Sequence, residues 1–293
     1  MKTIILHVFL FFGIMAVAQN ASFEVAKEHY DKGNYTKAKN EINALLDSDK
    51  TTRVWFLRTS IYAALLREGS IESTRSELIK EIALSMNKTK ELEKEGTSYY
   101  TLTHQKLESL WSDELNKGVE NYRAKSYEKA YEYYKNALMF KPEHPENLLY
   151  LAYTAQQLKG YQEAIATYEK LIKMDKVDDV SYSFYLLCQE ENGATNDQFE
   201  RLLQMGLDSY PGSKVLQEKK IKHLSKQRKY NELEIYLREL VKRNPTDEGY
   251  LLQQALNYED IYHNNYERGN SLAANDYYEK ARNTYLKVVS SKD

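Results

Sequence analysis

The chain has 293 residues, in which 41 Lys and Arg oppose 43 Asp and Glu, so its formal charge is −2. That balance lacks the strongly basic footprint of a dedicated nucleic-acid binder. A single cysteine excludes an internal disulfide framework and any multi-cysteine zinc site. The hydrophobic share of 42% is enough for a sizeable core, and only four prolines interrupt the chain, which suits a helical protein.

Residues 1–18 have the layout of a secretory signal peptide: Lys2 near the start, an apolar run from Ile4 to Ile14, then Ala16-Val17-Ala18. The run of about 15 residues is shorter than the roughly 20 needed to span a bilayer. Cleavage is expected after Ala18. The mature chain, 19–293, is then expected to lack a transmembrane segment and to be periplasmic or secreted.

The remainder repeats. Tyr127-x2-Ala130-x3-Tyr134-x2-Ala137-x4-Pro142 returns as Tyr161-x2-Ala164-x3-Tyr168-x2-Leu171, 34 residues later. It comes back as Tyr230-x2-Leu233-x3-Leu237-x2-Leu240-x4-Pro245, and a weaker copy falls between Gly193 and Pro211. Gly33-x-Tyr35-x2-Ala38-x3-Ile42-x2-Leu45 fits the same frame early in the chain, and Tyr278-x2-Ala281-x3-Tyr285-x2-Val288 fits it late. Within each copy the apolar residues recur at three and four, which places them on one stripe of a helix. Small residues at Gly118, Ala130 and Ala137 suit close helix crossings, and Tyr122, Tyr134 and Tyr150 are large enough to fill the space between copies.

Outside the clearest copies, Thr52–Leu66 reads as a helix whose partner runs from Ile71 to about Glu95, ending in a solvated charged run. Thr101 to Lys125 is longer than one repeat helix. Near the carboxyl end an extension predicts lengthened helices meeting near Gly269-Asn270. The four prolines are expected between hairpins, since proline inside a helix costs about 3 kcal/mol.

The 34-residue period, with alternating small and aromatic positions and a closing proline, resembles the tetratricopeptide repeat. The resemblance implies an all-α fold, a right-handed α-solenoid of six to seven helix-turn-helix repeats forming a single superhelical domain. The expected repeats are approximately 19–50, 52–95, 98–142, 145–176, 179–211, 213–245 and 248–290. The leader resembles those of exported Bacteroidota proteins.

Catalytic spacings are missing: no zinc-protease, phosphate-loop, dinucleotide or nucleophile-elbow motif occurs. The six histidines are scattered, and Asp47-Ser48-Asp49 lacks the glycine and the terminal acid of a calcium loop. Asp178 reads as a helix cap and Cys188 as a buried hydrophobe. The chain is therefore expected to be no enzyme and to need no cofactor or metal.

By resemblance, the first helix of each repeat lines a concave face that holds a protein or peptide partner. Its outward positions are Leu115, Val119, Tyr122 and Arg123, then Leu149, Tyr153 and Gln156, then Leu187 and Glu190, Lys222 and Lys226, and Leu252. The Lys/Asn pattern with which some family members clamp a terminal carboxylate is missing there. The basic stretch from Lys214 to Lys229 reads as a solvated face or a dock for an acidic segment, with no nucleic-acid partner expected. The expected function is a non-catalytic interaction scaffold or adaptor in the bacterial cell envelope; the alternative is an envelope glycan- or peptide-binding protein.

Overall fold

A computed structural model describes residues 23–69 and 74–290. The expected signal peptide and its cleavage site lie outside these residues. All regular structure among them is helical, arranged as successive antiparallel pairs: α1 (23–31) with α2 (Tyr35–Leu45), α3 (Thr52–Glu68) with α4 (Arg75–Leu92), and α5 (Ser98–Arg123) with α6 (Tyr127–Phe140). Then follow α7 (Pro145–Gln157) with α8 (Tyr161–Lys173), α9 (Asp179–Glu191) with α10 (Asn196–Ser209), α11 (Lys214–Lys226) with α12 (Tyr230–Arg243), and α13 (Glu248–Glu267) with α14 (Ser271–Ser290). The residues fall into two compact units, one ending at Lys176 and the other beginning at Val177.

Within each unit the helices pack chiefly on their neighbours in sequence, and in places on the next but one (α3 on α5, α4 on α6, α9 on α11). That is the packing of stacked hairpins, in which each unit hides its apolar stripe against the next. The fold is all-α, of the α-solenoid type.

One turn recurs. A residue with left-handed backbone follows the first helix of six hairpins: Gly33, Lys125, Lys159, Gly193, Arg228 and Gly269. At each, the next residue donates its N–H five residues back into the helix, as from Ser126 to Asn121 (2.9 Å) and from Gly160 to Ala155 (2.8 Å). This closure satisfies carbonyls that the helix end would otherwise leave unpaired. Helix starts are fixed as locally: Thr74 and Thr195 form capping boxes with Glu77 and Gln198, and Asp178 accepts from the Ser181 N–H at 2.7 Å.

The small residues sit where close crossing was expected. Ala130 and Ala137 are fully buried, and a Cβ added at Gly118 would come 2.5 Å from the Tyr134 ring. Gly206 lies as close to Tyr182, a contact on which the repeat frame was silent. Tyr134 stacks on Tyr150 at 5.5 Å and joins Leu115, Ala130 and Leu151 in a core that Tyr122 partly covers.

Polar groups also tie the first unit together. Arg58, almost wholly buried, donates to Asn43, Ser85 and Glu81, linking α2, α3 and α4. Glu114, fully buried on α5, pairs with Arg75 of α4 and accepts from Asn136 of α6 at 3.2 Å.

Three sequence expectations need adjustment. The partner of the Thr52 helix begins at Arg75 and ends at Leu92, because Thr74 caps it and Glu93 has extended backbone; Ile71 lies outside the described residues. Pro145 is the first residue of α7 rather than a linker residue, a position where its missing N–H is harmless. The third is Leu115: expected as a contact, it is buried because α6 and α7 close over its side of α5.

Candidate functional site

In the first unit the expected contact residues lie on α5 and α7. Val119 and Tyr122 are half-buried and Arg123 is exposed, while Leu149, Tyr153 and Gln156 are half-buried. Tyr122 meets Tyr127 edge-on at 5.3 Å. Burial first, and then the neighbouring Tyr127 and Tyr153 hydroxyls, push its phenol above the usual tyrosine range. Tyr153 packs 6.2 Å from Tyr168, whose hydroxyl donates to Gln156 at 3.4 Å. The structure thus brings Tyr122, Tyr153 and Gln156 into one aromatic neighbourhood. Its rings are anchored below by packing and carry polar atoms at their edges, which suits adaptable contact with a partner.

In the second unit the expected residues are Leu187 and Glu190 on α9, Lys222 and Lys226 on α11, and Leu252 on α13. Leu187 is half-buried, and the other four are exposed. Lys226 reaches Glu190 at 3.1 Å. Lys222 has no ion-pair partner among the described residues. Both lysines line a cleft of about 610 Å³ between α11 and α13, together with Lys214, Glu218, Ile221, Asp247, Tyr250 and Gln253.

The cleft has a defined frame. Asp247 caps α13 by accepting the Tyr250 N–H at 3.2 Å, and its other oxygen takes Lys214 at 2.7 Å. The Lys214 ammonium holds the Asp247 carboxyl below the usual range, and the backbone N–H of Tyr250 adds to this. The Tyr250 hydroxyl donates to Gln217, pinning α13 to α11. Ile221 forms an apolar floor, Tyr250 an aromatic wall, and the Lys222 and Lys226 ammoniums the rim. Such a site can take an extended segment with one apolar and one anionic side chain.

The sequence marked Lys222, Lys226 and the basic stretch that begins at Lys214, but not Asp247 and Tyr250, as parts of a site. The cap signal of Asp247 before Glu248 was available; the separation of two helices that begin 34 residues apart was not. Leu252 is exposed on α13 but does not line the cleft.

Other polar features are structural. His223 is buried, stacks on Phe199 at 4.9 Å and meets Glu200 at 3.0 Å. Cys188 is fully buried, and burial pushes its thiol up to about 11, far from a reactive thiolate. Among the described residues no group of three or more His, Cys, Asp or Glu side chains is placed to hold a metal ion. None of the described helices is long and apolar enough to cross a membrane.

Residues 146–178, which cover the α7–α8 hairpin almost entirely, match the family model of the tetratricopeptide repeat. The match is confined to this one hairpin. Its matched copy contains Leu149, Tyr153 and Gln156, so three of the expected contact residues lie within it. The chain is similar to a tetratricopeptide repeat protein from Parabacteroides merdae at 14% identity, over 94% of this chain and 99% of that one, with a TM-score of 0.39. It is likewise similar to the C-terminal part of a repeat-containing protein from Cytophaga hutchinsonii, at 12% identity over 92% and 99% of the two chains, with a TM-score of 0.47. A third likeness is to PilW, a type IV pilus biogenesis factor, at 18% identity over 69% and 97%, with a TM-score of 0.34. No curated protein matches the chain.

Proposed function

We propose that the chain is a non-catalytic interaction scaffold of the bacterial cell envelope, exported by its amino-terminal leader, which holds a segment of a protein partner on the first helices of its hairpins. The observation that carries this reading is the α11–α13 cleft, with its apolar floor, its aromatic wall and an unpaired lysine on the rim. The tetratricopeptide repeat at 146–178 supports it, because stacked hairpins of this kind leave exposed helix faces that suit extended ligands. The half-buried tyrosines on α5 and α7 form a second contact face within the first unit.

The chemistry of the cleft selects an acidic segment. An aspartate or glutamate entering between Lys222 and Lys226 gains a charge-assisted contact, and an adjacent apolar side chain covers Ile221. A Lys222→Glu/Lys226→Glu double variant should lose partner recovery from crosslinked envelopes, while its circular dichroism stays helical. A Leu149→Asp/Tyr153→Asp variant tests the first-unit face in the same assay. Undiminished recovery with both variants would reject the assignment of these faces.

A further inference from the structure

The last hairpin carries an unusual share of exposed apolar surface. Of the fourteen large apolar side chains that are exposed among the described residues, seven lie on α13 or α14. Four of these are on α14: Leu272 (86% exposed), Tyr278, Leu286 (56%) and Val289 (66%). The opposite flank of α14 is engaged, since Ala274, Ala281 and Thr284 are buried, Tyr285 donates to Glu259 of α13 and Tyr277 to Glu234 of α12. In the earlier hairpins the next hairpin packs on the second helix, as α7 does on α6 and α13 on α12. No described element does so for α14, and a stacking face left open in this way calls for a polar surface or an occupant.

The spacing and charge of that face identify the occupant. Leu272, Asn275, Glu279, Arg282, Leu286 and Val289 follow one another at intervals of three and four, a stripe along about 26 Å of helix. The stripe is nearly its own mirror about the point between Lys280 and Ala281. An apolar residue stands at each end, and an acid and a base stand symmetrically at the centre. Two such helices laid antiparallel around a two-fold axis at that point bring Leu272 to Val289 of the second copy, and Glu279 to Arg282 of the second copy. Asn275 falls beside Leu286 of the second copy. Shifting the register by one step either way sets Glu279 against Glu279, or Arg282 against Arg282. A parallel pair sets like against like at both positions. The charges therefore favour one arrangement and oppose its neighbours.

We infer that α14 is a self-association surface, on which a second copy of this chain docks its own α14 antiparallel to form a two-fold dimer. Within one chain Glu279 and Arg282 already lie 3.2 Å apart. In the dimer each gains a second opposite charge across the axis. A single helix pair buries little area, so the dimer is expected to be of micromolar strength or weaker.

The test is sedimentation equilibrium of the purified full chain from about 1 to several hundred μM, as wild type and as two charge variants. Wild type should show a concentration-dependent monomer–dimer equilibrium. Glu279→Arg makes the centre of the stripe all positive and Arg282→Glu makes it all negative, so each alone should raise the dimer Kd at least tenfold. An equimolar mixture of the two variants should dimerise again. Both substituted positions are exposed, so unchanged circular dichroism is expected throughout. A wild type that remains monomeric across the range overturns the inference. So does a dimer that survives both single variants, and so does a mixture that fails to recover.

Discussion

Glu114→Ala removes the carboxylate that joins three helices of two successive hairpins. In the native chain that fully buried group takes the Arg75 guanidinium from α4 and the Asn136 amide from α6, whose own carbonyl accepts from Ser76 at 2.6 Å. Breaking a buried pair from one side generally costs about 3–5 kcal/mol, most of it from the stranded charge. Arg75 is one-third exposed and keeps a 3.4 Å contact with the surface residue Asp113, so its share here is smaller, about 2 kcal/mol. The buried Asn136 amide loses its acceptor, adding about 1–2 kcal/mol. The expected loss is about 3–4 kcal/mol, confined to the first unit. Both tryptophans of the chain, Trp55 and Trp111, lie in that unit, so their fluorescence during urea unfolding reports on it selectively. The tryptophan transition should move to lower urea, and Glu114→Gln, which keeps an acceptor, should lose about half as much. A loss below about 1 kcal/mol for the alanine variant, or equal losses for both, would refute the coupling assigned to this carboxylate.

Three further outcomes are expected. Gly118→Ala pushes a methyl into the buried Tyr134 ring, and the strain of about 1–3 kcal/mol should outweigh the helix-propensity gain of about 1 kcal/mol, lowering the midpoint of thermal unfolding. Lys159→Gly relieves a left-handed residue at φ 60° in an exposed turn and should raise stability by about 0.5–1 kcal/mol in chemical denaturation. Burial pushes the Tyr182 and Tyr236 phenols up to about 12 from an ordinary 10, favouring their neutral forms in the folded chain. Their contribution to stability is full below pH 10 and lost as pH rises toward 12. Absorbance at 295 nm should therefore show a late class of tyrosines that ionises together with the loss of helix; one uniform titration near pH 10 with the helix intact would contradict it.

The hairpins were legible in the sequence because small and aromatic residues recur at helical spacing, and because each packing stripe is built within 34 residues. Gly118, Ala130 and Tyr134 could be placed at a helix crossing on volume alone. The turns were only partly legible. Gly33, Gly193 and Gly269 advertise left-handed backbone, whereas Lys125, Lys159 and Arg228 adopt it without any signal in their side chains. Long-range polar contacts were not legible, since nothing near Arg75 or Glu114 announces a partner 39 residues away. The contact face was legible as a set of helix positions but not as a shape. Leu115 points outward in a helical projection, yet packing around α5 buries it. The α11–α13 cleft exists because two helices stand apart, and that depends on α12 between them rather than on either helix.

The central claim is that a partner lies on the first helices of the hairpins. Site-specific photo-crosslinking in intact envelopes tests it most directly, with the reactive residue placed in turn at Tyr153 and Lys222 on first helices, and at the exposed Glu132 and Arg238 on second helices. Adducts of one reproducible mass at Tyr153 or Lys222, with none at Glu132 or Arg238, are the predicted result. Adducts confined to Glu132 and Arg238 would contradict it.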